Sequence, residues 1–370
     1  MSDQAGRRFV VLDGWRGVCA LMVALYHFHI GSHIQEAGVV RGAYLFVDFF
    51  FVLSGFVITH AYEARLGAGW SKGSAGLGFL VQRIGRVWPL HAVTLGAMIV
   101  LELVRQAAFG FGFGAGRSPS EILPNLLLLH GLGFYDHITW NWPSWSLSVE
   151  MALYVGFLGL MIAPARLRVW ISLLIIIIGL AVLARLSHRF MNVTAYLGLY
   201  RGLAGFFCGY VAYRLWRLGR LAVGSLGEIT TLLIVGLLVG GLAETAWAYL
   251  APVLFAGAIL VFADGTGWVS RALSTGLGRK LGIWSYSIYL THVPVFGLFR
   301  LFYQAAGLPG SVDKMGSAYL ADGVTVLFVL AVCMVSSVTY QRIEMPGQRL
   351  FRRLLKPTPI AATSQDKLPG

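Results

Sequence analysis

Charge is scarce in this sequence. Only 12% of its 370 residues are Asp, Glu, Lys or Arg, while 57% are hydrophobic. A soluble domain carries about 25% charged residues, so this chain cannot cover a water-exposed surface and an ordinary soluble protein is excluded. Acidic residues are the scarcer sign, 16 against 29 Lys and Arg, a net charge of +13. Cysteine is nearly absent: Cys19, Cys208 and Cys333 are an odd number, far apart inside apolar segments. That excludes a disulfide framework and leaves them as small buried hydrophobes. Strand-like alternation over about ten residues, the mark of a membrane barrel, is missing. A basic stripe interleaved with aromatics is missing too, which argues against nucleic acid as a partner. No metal is expected, since His27 and His29 lie two apart and do not share a helical face. No period of 20–50 residues is visible, so no solenoid repeat is expected.

What is present is a series of long apolar runs. They fall at 15–34, 44–62, 86–104, 145–163, 169–186, 196–214, 225–243, 246–264, 283–303 and 320–340, each near the length needed to cross about 30 Å of hydrocarbon. The reading is an all-α integral membrane protein, a polytopic bundle of about ten transmembrane helices. Arg7 and Arg8 precede the first run, but no small-residue cleavage site follows and the run contains Arg16 and His27. This is a retained helix rather than a signal peptide. The segment from Glu121 to Tyr135 is short and holds Pro124, Asn125 and His130, so it reads as re-entrant or interfacial. Ser118-Pro-Ser-Glu121 before it resembles a capping box. With ten spans and the N-terminus inside, 21 of the 29 basic residues lie on the inner side. Counting 121–135 as a span would put the Arg214–Arg220 cluster and the basic C-terminal segment outside. The positive-inside bias therefore places both termini in the cytoplasm. Residues 1–356 form the membrane domain, and 357–370, containing Pro, Ser and Thr, is expected to be a disordered cytoplasmic tail.

Ionisable residues inside membrane helices are costly and usually face a cavity or a partner. Arg16 and His27 share the first helix, His27 roughly 16 Å along it at about 1.5 Å per residue. Asp48 sits near the outer end of the second span, Glu150 five residues into the fourth and His292 nine residues into the ninth. One level, near the bilayer middle, is expected to hold His27, His292 and Glu150. A membrane histidine is often only a packing residue. Two histidines and a carboxylate at comparable depth bring a functional site level with that reading. Arg83 and Arg86, three apart at the cytoplasmic end of the third span, share a helical face. Arginine suits phosphate by charge and fork geometry, although the pair also fits a positive-inside anchor beside Trp88. The Gly110–Gly116 stretch lacks a strand-turn-helix context and reads as a flexible loop.

These residues resemble the membrane acyltransferase 3 family. Leu12-Asp-Gly-Trp-Arg16-Gly through Tyr26-His27-Phe is similar to its opening signature, with the Arg-x10-His spacing. Val47-Asp48-Phe-Phe-Phe-Val-Leu-Ser54-Gly55-Phe is similar to its second-helix motif, and Arg83-Ile-Gly-Arg86 to its Arg-x-x-Arg motif. Trp145-Ser-Leu-Ser-Val-Glu150 matches Trp-Ser-Leu-x-x-Glu. Tyr200–Gly209 is a degenerate mid-chain match. Ser285-Tyr-Ser-Ile-Tyr289-Leu-Thr-His292 and Arg342-Ile-Glu344-Met-Pro346 resemble its late motifs. The likeness runs in order from about Phe9 to Phe351.

The resemblance implies O-acyl transfer, commonly acetyl, from cytoplasmic acyl-CoA (acetyl-CoA as donor substrate) to a hydroxyl of a carbohydrate or glycolipid acceptor. It implies polysaccharide modification at a bacterial inner (plasma) membrane. Relatives with a soluble esterase-like domain after the helices make this chain look like a stand-alone form. Acyl transfer to a hydroxyl needs a base. Desolvation disfavours the imidazolium, so His27 is the expected general base, with Glu150 pairing with it or binding acceptor. Arg16, Arg83 and Arg86 are expected to hold the coenzyme A phosphates. Asp48, Ser54, Trp145 and His292 are expected to line the cavity as substrate-binding residues. Two other readings stay open: a secondary transporter or flippase for a glycan or lipid intermediate, which midplane charges would suit, and a structural membrane subunit.

Overall fold

The computed structural model describes residues 8–66, 75–219, 221, 223–307 and 317–354. The expected tail 357–370 and the charges of Arg7, Lys72, Arg220, Lys356 and Lys367 lie outside these residues. Among the described residues there are helices and no strands.

The order is α1 (Val10–His27), two short helices α2 (His33–Glu36) and α3 (Gly38–Arg41), α4 (Phe46–Leu66) and α5 (Ala75–Phe109). Then come α6 (Ile122–Leu126), α7 (Trp145–Ile162), α8 (Ala165–Leu186), α9 (Gly198–Leu218) and α10 (Gly224–Leu237). The chain closes with α11 (Ala251–Ala263), α12 (Trp268–Leu273), α13 (Gly276–Ala305), α14 (Ala318–Thr339) and α15 (Met345–Leu354). Eight helical segments among the described residues are long and apolar enough to cross a membrane. The other two expected spans are α9 and α13, of 21 and 30 residues. These two carry buried Arg201 and His292 and pack inside the bundle, where protein replaces lipid around the polar groups. The result is a polytopic membrane bundle.

The first span differs from its expected limits. α1 starts at Val10 and stops at His27, seven residues before the apolar run ends. Phe28 N–H closes the last turn on Leu25 O at 3.1 Å, and Gly31 turns the chain with φ 77°. His27 is therefore the last residue of its helix rather than a mid-helix one. α5 is longer than expected and runs through Pro89, so Arg83 and Arg86 sit on continuous helix.

The contacts of α1 with α13 settle the status of 121–135. Arg16 bonds to Gly282 and Ser285, His27 to His292, and Phe28 packs on Phe296. Numbers rise together, so the two helices are parallel. Seven long helices between them satisfy that direction, and an eighth would reverse it. Segment 121–135 holds only the five-residue α6, about 7.5 Å at 1.5 Å per residue, and does not cross. The parallel pair packs backbone to backbone: a Cβ on Gly17 would fall on the backbone of Leu281 and Gly282, and one on Gly282 would fall on that of Asp13. Small residues at such crossings are what lets membrane helices approach.

The connection from α5 to α7 is folded onto the histidine end of the bundle. Ser118 and Glu121 form the expected capping box. Glu121 also meets His137 Nε2 at 2.8 Å. Bonds to Asp136 and Glu121 hold the His137 pKa above the usual histidine value. Asn141 Nδ2 donates to Leu290 O at 3.1 Å, tying the connection to α13, and leaves the Trp142 ring 6.4 Å from that of His27.

Candidate active site

A cavity of about 160 Å³ opens between α1, α4, α5, α7 and α13. It is lined by Arg16, Arg83, Arg86, Glu150 and Ser54, with Tyr154, Tyr286 and Tyr289. Its remaining wall is apolar, from residues such as Phe50, Val57 and Leu147. Three guanidinium groups and one carboxylate line the wall, with Asp13 Oδ1 also 3.4 Å from Arg16 Nη2, a wall that offers guanidinium donors to an anionic group joined to an apolar one.

Each charge is held differently. Arg16 donates from Nε to Ser285 Oγ at 2.7 Å and from Nη2 to Gly282 O at 3.0 Å, which fixes it along α13. Arg83 donates to Tyr62 OH at 3.0 Å, and its buried Nε has no partner. Arg86 makes no hydrogen bond or ion pair with any described residue. Two of the three guanidiniums thus retain unused donors facing the cavity. Glu150 is locked: Ser54 Oγ donates to its Oε1 at 2.8 Å and Tyr154 OH at 2.5 Å. α7 delivers this carboxylate because the turn at Trp142-Pro143-Ser144 starts the helix, with Ser144 Oγ capping Asn141 O at 2.6 Å.

The histidines form a separate pair next to this cavity. His292 Nδ1 lies 3.1 Å from Ile288 O, and His292 Nε2 lies 3.1 Å from His27 Nδ1. A carbonyl can only accept, so His292 carries its proton on Nδ1 and its Nε2 accepts from His27 Nδ1–H. In that tautomer the lone pair of His27 is on Nε2, and the Val23 carbonyl also lies within reach of the ring. Tyr289 separates the two features, lining the cavity on one side with its ring centroid 6.2 Å from that of His292.

The structure brings together Arg16, Arg83 and Arg86, places Ser54 and Glu150 with them, and pairs His27 with His292. Of the two roles expected for Glu150, pairing with His27 or binding acceptor, the structure does not make the pairing. The carboxylate bonds to Ser54 and Tyr154 in the arginine cavity, and no hydrogen bond joins it to His27. Asp48 and Trp145 are not on the cavity wall. Asp48 is fully buried and accepts from Arg201 Nε at 2.9 Å and Nη2 at 2.8 Å. Arg201 also donates to Tyr44 O at 2.7 Å and lies 5.6 Å over the Trp145 ring. This bidentate pair joins α4 to α9. Breaking a buried pair leaves an unpaired charge, so Asp48→Asn or Arg201→Ala is expected to cost about 3–5 kcal/mol, measured as thermal unfolding in detergent. Sequence reasoning passed over Arg201, Tyr154, Tyr286, Tyr289 and Ser285. Spacing was the available signal: Tyr154 lies four after Glu150, and Ser285, Tyr289 and His292 share one face of α13.

No group of three His, Cys, Asp or Glu among the described residues could hold a metal ion. Among known proteins, a segment of 99 residues is 38% identical to "Protein 2 in picA locus" of Rhizobium radiobacter, covering 26% of this chain and 48% of that one. Over 337 residues the chain is 25% identical to the peptidoglycan O-acetyltransferase OatA of Listeria monocytogenes, covering 78% of this chain and 49% of the relative. Over 166 residues it is 31% identical to the acyltransferase MdmB of Streptomyces mycarofaciens, 40% of this chain and 38% of the relative. The chain spans about half the length, or less, of these curated relatives. No solved structure matches it. The model of the acyltransferase 3 family, described as an acyltransferase domain, matches residues 9–340, and the chain belongs to that family.

Proposed function

We propose that this protein is a membrane O-acyltransferase, moving an acyl group, acetyl by preference, from cytoplasmic acyl-CoA to a hydroxyl of a carbohydrate or glycolipid acceptor. The observation that carries this reading is the placement of an arginine-lined cavity and a tautomer-fixed histidine along one helix. Arg16 and His27 are eleven residues apart on α1, about 16 Å. The arm of coenzyme A between its pyrophosphate and its sulfur has about thirteen bonds, roughly 16 Å when extended. Phosphates held by Arg16, Arg83 and Arg86 would therefore bring the thioester to His27. His27 Nε2 takes the proton of the acceptor hydroxyl as that oxygen attacks the thioester carbonyl. The carbon–sulfur bond breaks, the ester forms, and the coenzyme A thiolate leaves to be protonated. Glu150, locked by Ser54 and Tyr154, balances the arginine charge beside the donor. The similarity to OatA and MdmB, an O-acetyltransferase and an acyltransferase, supports the same class.

His292 is a positioning residue in this scheme. His292→Ala removes the acceptor that fixes the His27 tautomer, and kcat is expected to fall about 10–100-fold, the usual cost of losing an orienting partner. The acyl-CoA KM stays unchanged and the pH–rate profile shifts. His292→Gln keeps an acceptor for His27 and a donor for Ile288 O, and is expected to recover part of the loss. Equal kcat in wild type and His292→Ala would remove His292 from the mechanism.

A further inference from the structure

A second recess lies at the other end of α1, just past His27. Its volume is about 470 Å³, and Tyr26, His29, Gln35, Glu36, Arg41 and Glu244 line it. Tyr26 links it to the histidines: its ring centroid is 5.1 Å from that of His27 and 5.9 Å from that of His29.

Its polar groups are unspent. Glu36, Arg41 and Glu244 make no ion pair or hydrogen bond with any described residue. Gln35 Oε1 accepts from Ile30 N–H at 2.9 Å and from Gly31 N–H at 3.2 Å, which fixes the amide. Its Nε2 is left buried with no partner, an arrangement native proteins rarely leave unfilled. A π-helical turn, Leu238–Leu242, leads to Glu244, and Tyr44 OH anchors the chain there on Ala243 O at 2.6 Å. Such turns recur at functional sites.

The donor and acceptor mix points to one ligand class. Carboxylates accept from hydroxyls, the guanidinium and the amide donate to hydroxyl and ring oxygens, and the Tyr26 ring offers a face to C–H groups. Two carboxylates against one guanidinium disfavour an anion. We propose that this recess binds the acceptor, and that the acceptor there is a neutral saccharide that presents one hydroxyl to His27. The proposal rests on the acyltransferase reading for its role, but not for its ligand.

The test uses the full chain in lipid nanodiscs. Saturation-transfer NMR measures binding of neutral trisaccharides of glucose, mannose and N-acetylglucosamine, with trigalacturonate as the anionic probe. Acetyl-CoA turnover is followed in parallel. The expected result is binding of a neutral trisaccharide that weakens at least tenfold in Glu36→Gln/Glu244→Gln and is unchanged in Arg86→Ala. The KM for that saccharide in turnover should rise at least tenfold, with the acetyl-CoA KM unchanged. Equal binding by wild type and the double variant, no binding of any neutral trisaccharide, or preference for trigalacturonate would overturn the proposal. Saccharide binding in the expected pattern without turnover would sustain the recess and reject the acyltransferase reading.

Discussion

Replacing His27 by alanine is expected to lower acyl transfer by about 10²–10⁴-fold, the range for removing a general base. The loss should fall on kcat. Acyl-CoA binding should survive, because the arginine cavity lies eleven residues away along α1 and shares no hydrogen bond with His27. Folding should survive as well, since His27 is half-buried at the end of its helix rather than packed in its middle. His27→Gln should be as inactive as His27→Ala, because an amide can donate to His292 Nε2 but offers no basic lone pair. The check is single-turnover acyl transfer beside equilibrium acyl-CoA binding on the same preparations. A His27→Ala protein that transfers at the wild-type rate would move the base elsewhere, first to Glu150.

The second large effect is expected at Arg83 and Arg86. A hydrogen bond to a charged group is worth about 1.5–3 kcal/mol, and 1.4 kcal/mol is about tenfold in affinity. Arg83→Ala/Arg86→Ala should therefore raise the acyl-CoA Kd by about 100-fold or more. Arg86 should dominate, because it makes no hydrogen bond with any described residue, whereas Arg83 already donates to Tyr62. Arg83→Lys and Arg86→Lys keep the charge but lose the fork and should recover only part of the affinity. The measurement is acyl-CoA binding by calorimetry, with dephospho-coenzyme A and pantetheine as shorter probes. Pantetheine lacks the phosphates, so its weak binding should be the same in wild type and in the double variant.

Much of this arrangement is legible in the sequence, for a physical reason. Lipid rejects charge, so apolar runs mark the helices, and every one of the ten runs lands on a helix. The same rule makes Arg16, His27, Glu150 and His292 conspicuous, and a spacing of three puts Arg83 and Arg86 on one face. His27 and His292, expected at one level, are found hydrogen-bonded to each other. What escapes is whatever depends on helix neighbours. Glu150 was expected at the level of His27, to pair with it or to bind acceptor, and its hydrogen bonds go instead to Ser54 and Tyr154. The partner of Asp48 is Arg201, 153 residues away, and that pairing depends on α4 packing against α9. The end of α1 was misjudged because Phe28 and Ile30 are apolar yet bury inside the protein beyond the last helical turn. The second recess escaped because its residues come from short helices and a π-helical turn that no apolar run announces.

The central claim is that acyl-CoA and a hydroxyl acceptor react at this protein. The most direct measurement follows [¹⁴C]acetyl-CoA and a saccharide acceptor with purified protein in sealed vesicles, scoring coenzyme A release, alkali-labile label on the saccharide and saccharide movement across the bilayer. The account predicts coenzyme A release that depends on the saccharide, with one labelled ester per coenzyme A released and none from His27→Ala. Unmodified saccharide crossing the bilayer, with no label gained and no coenzyme A released, would contradict it and make the protein a carrier.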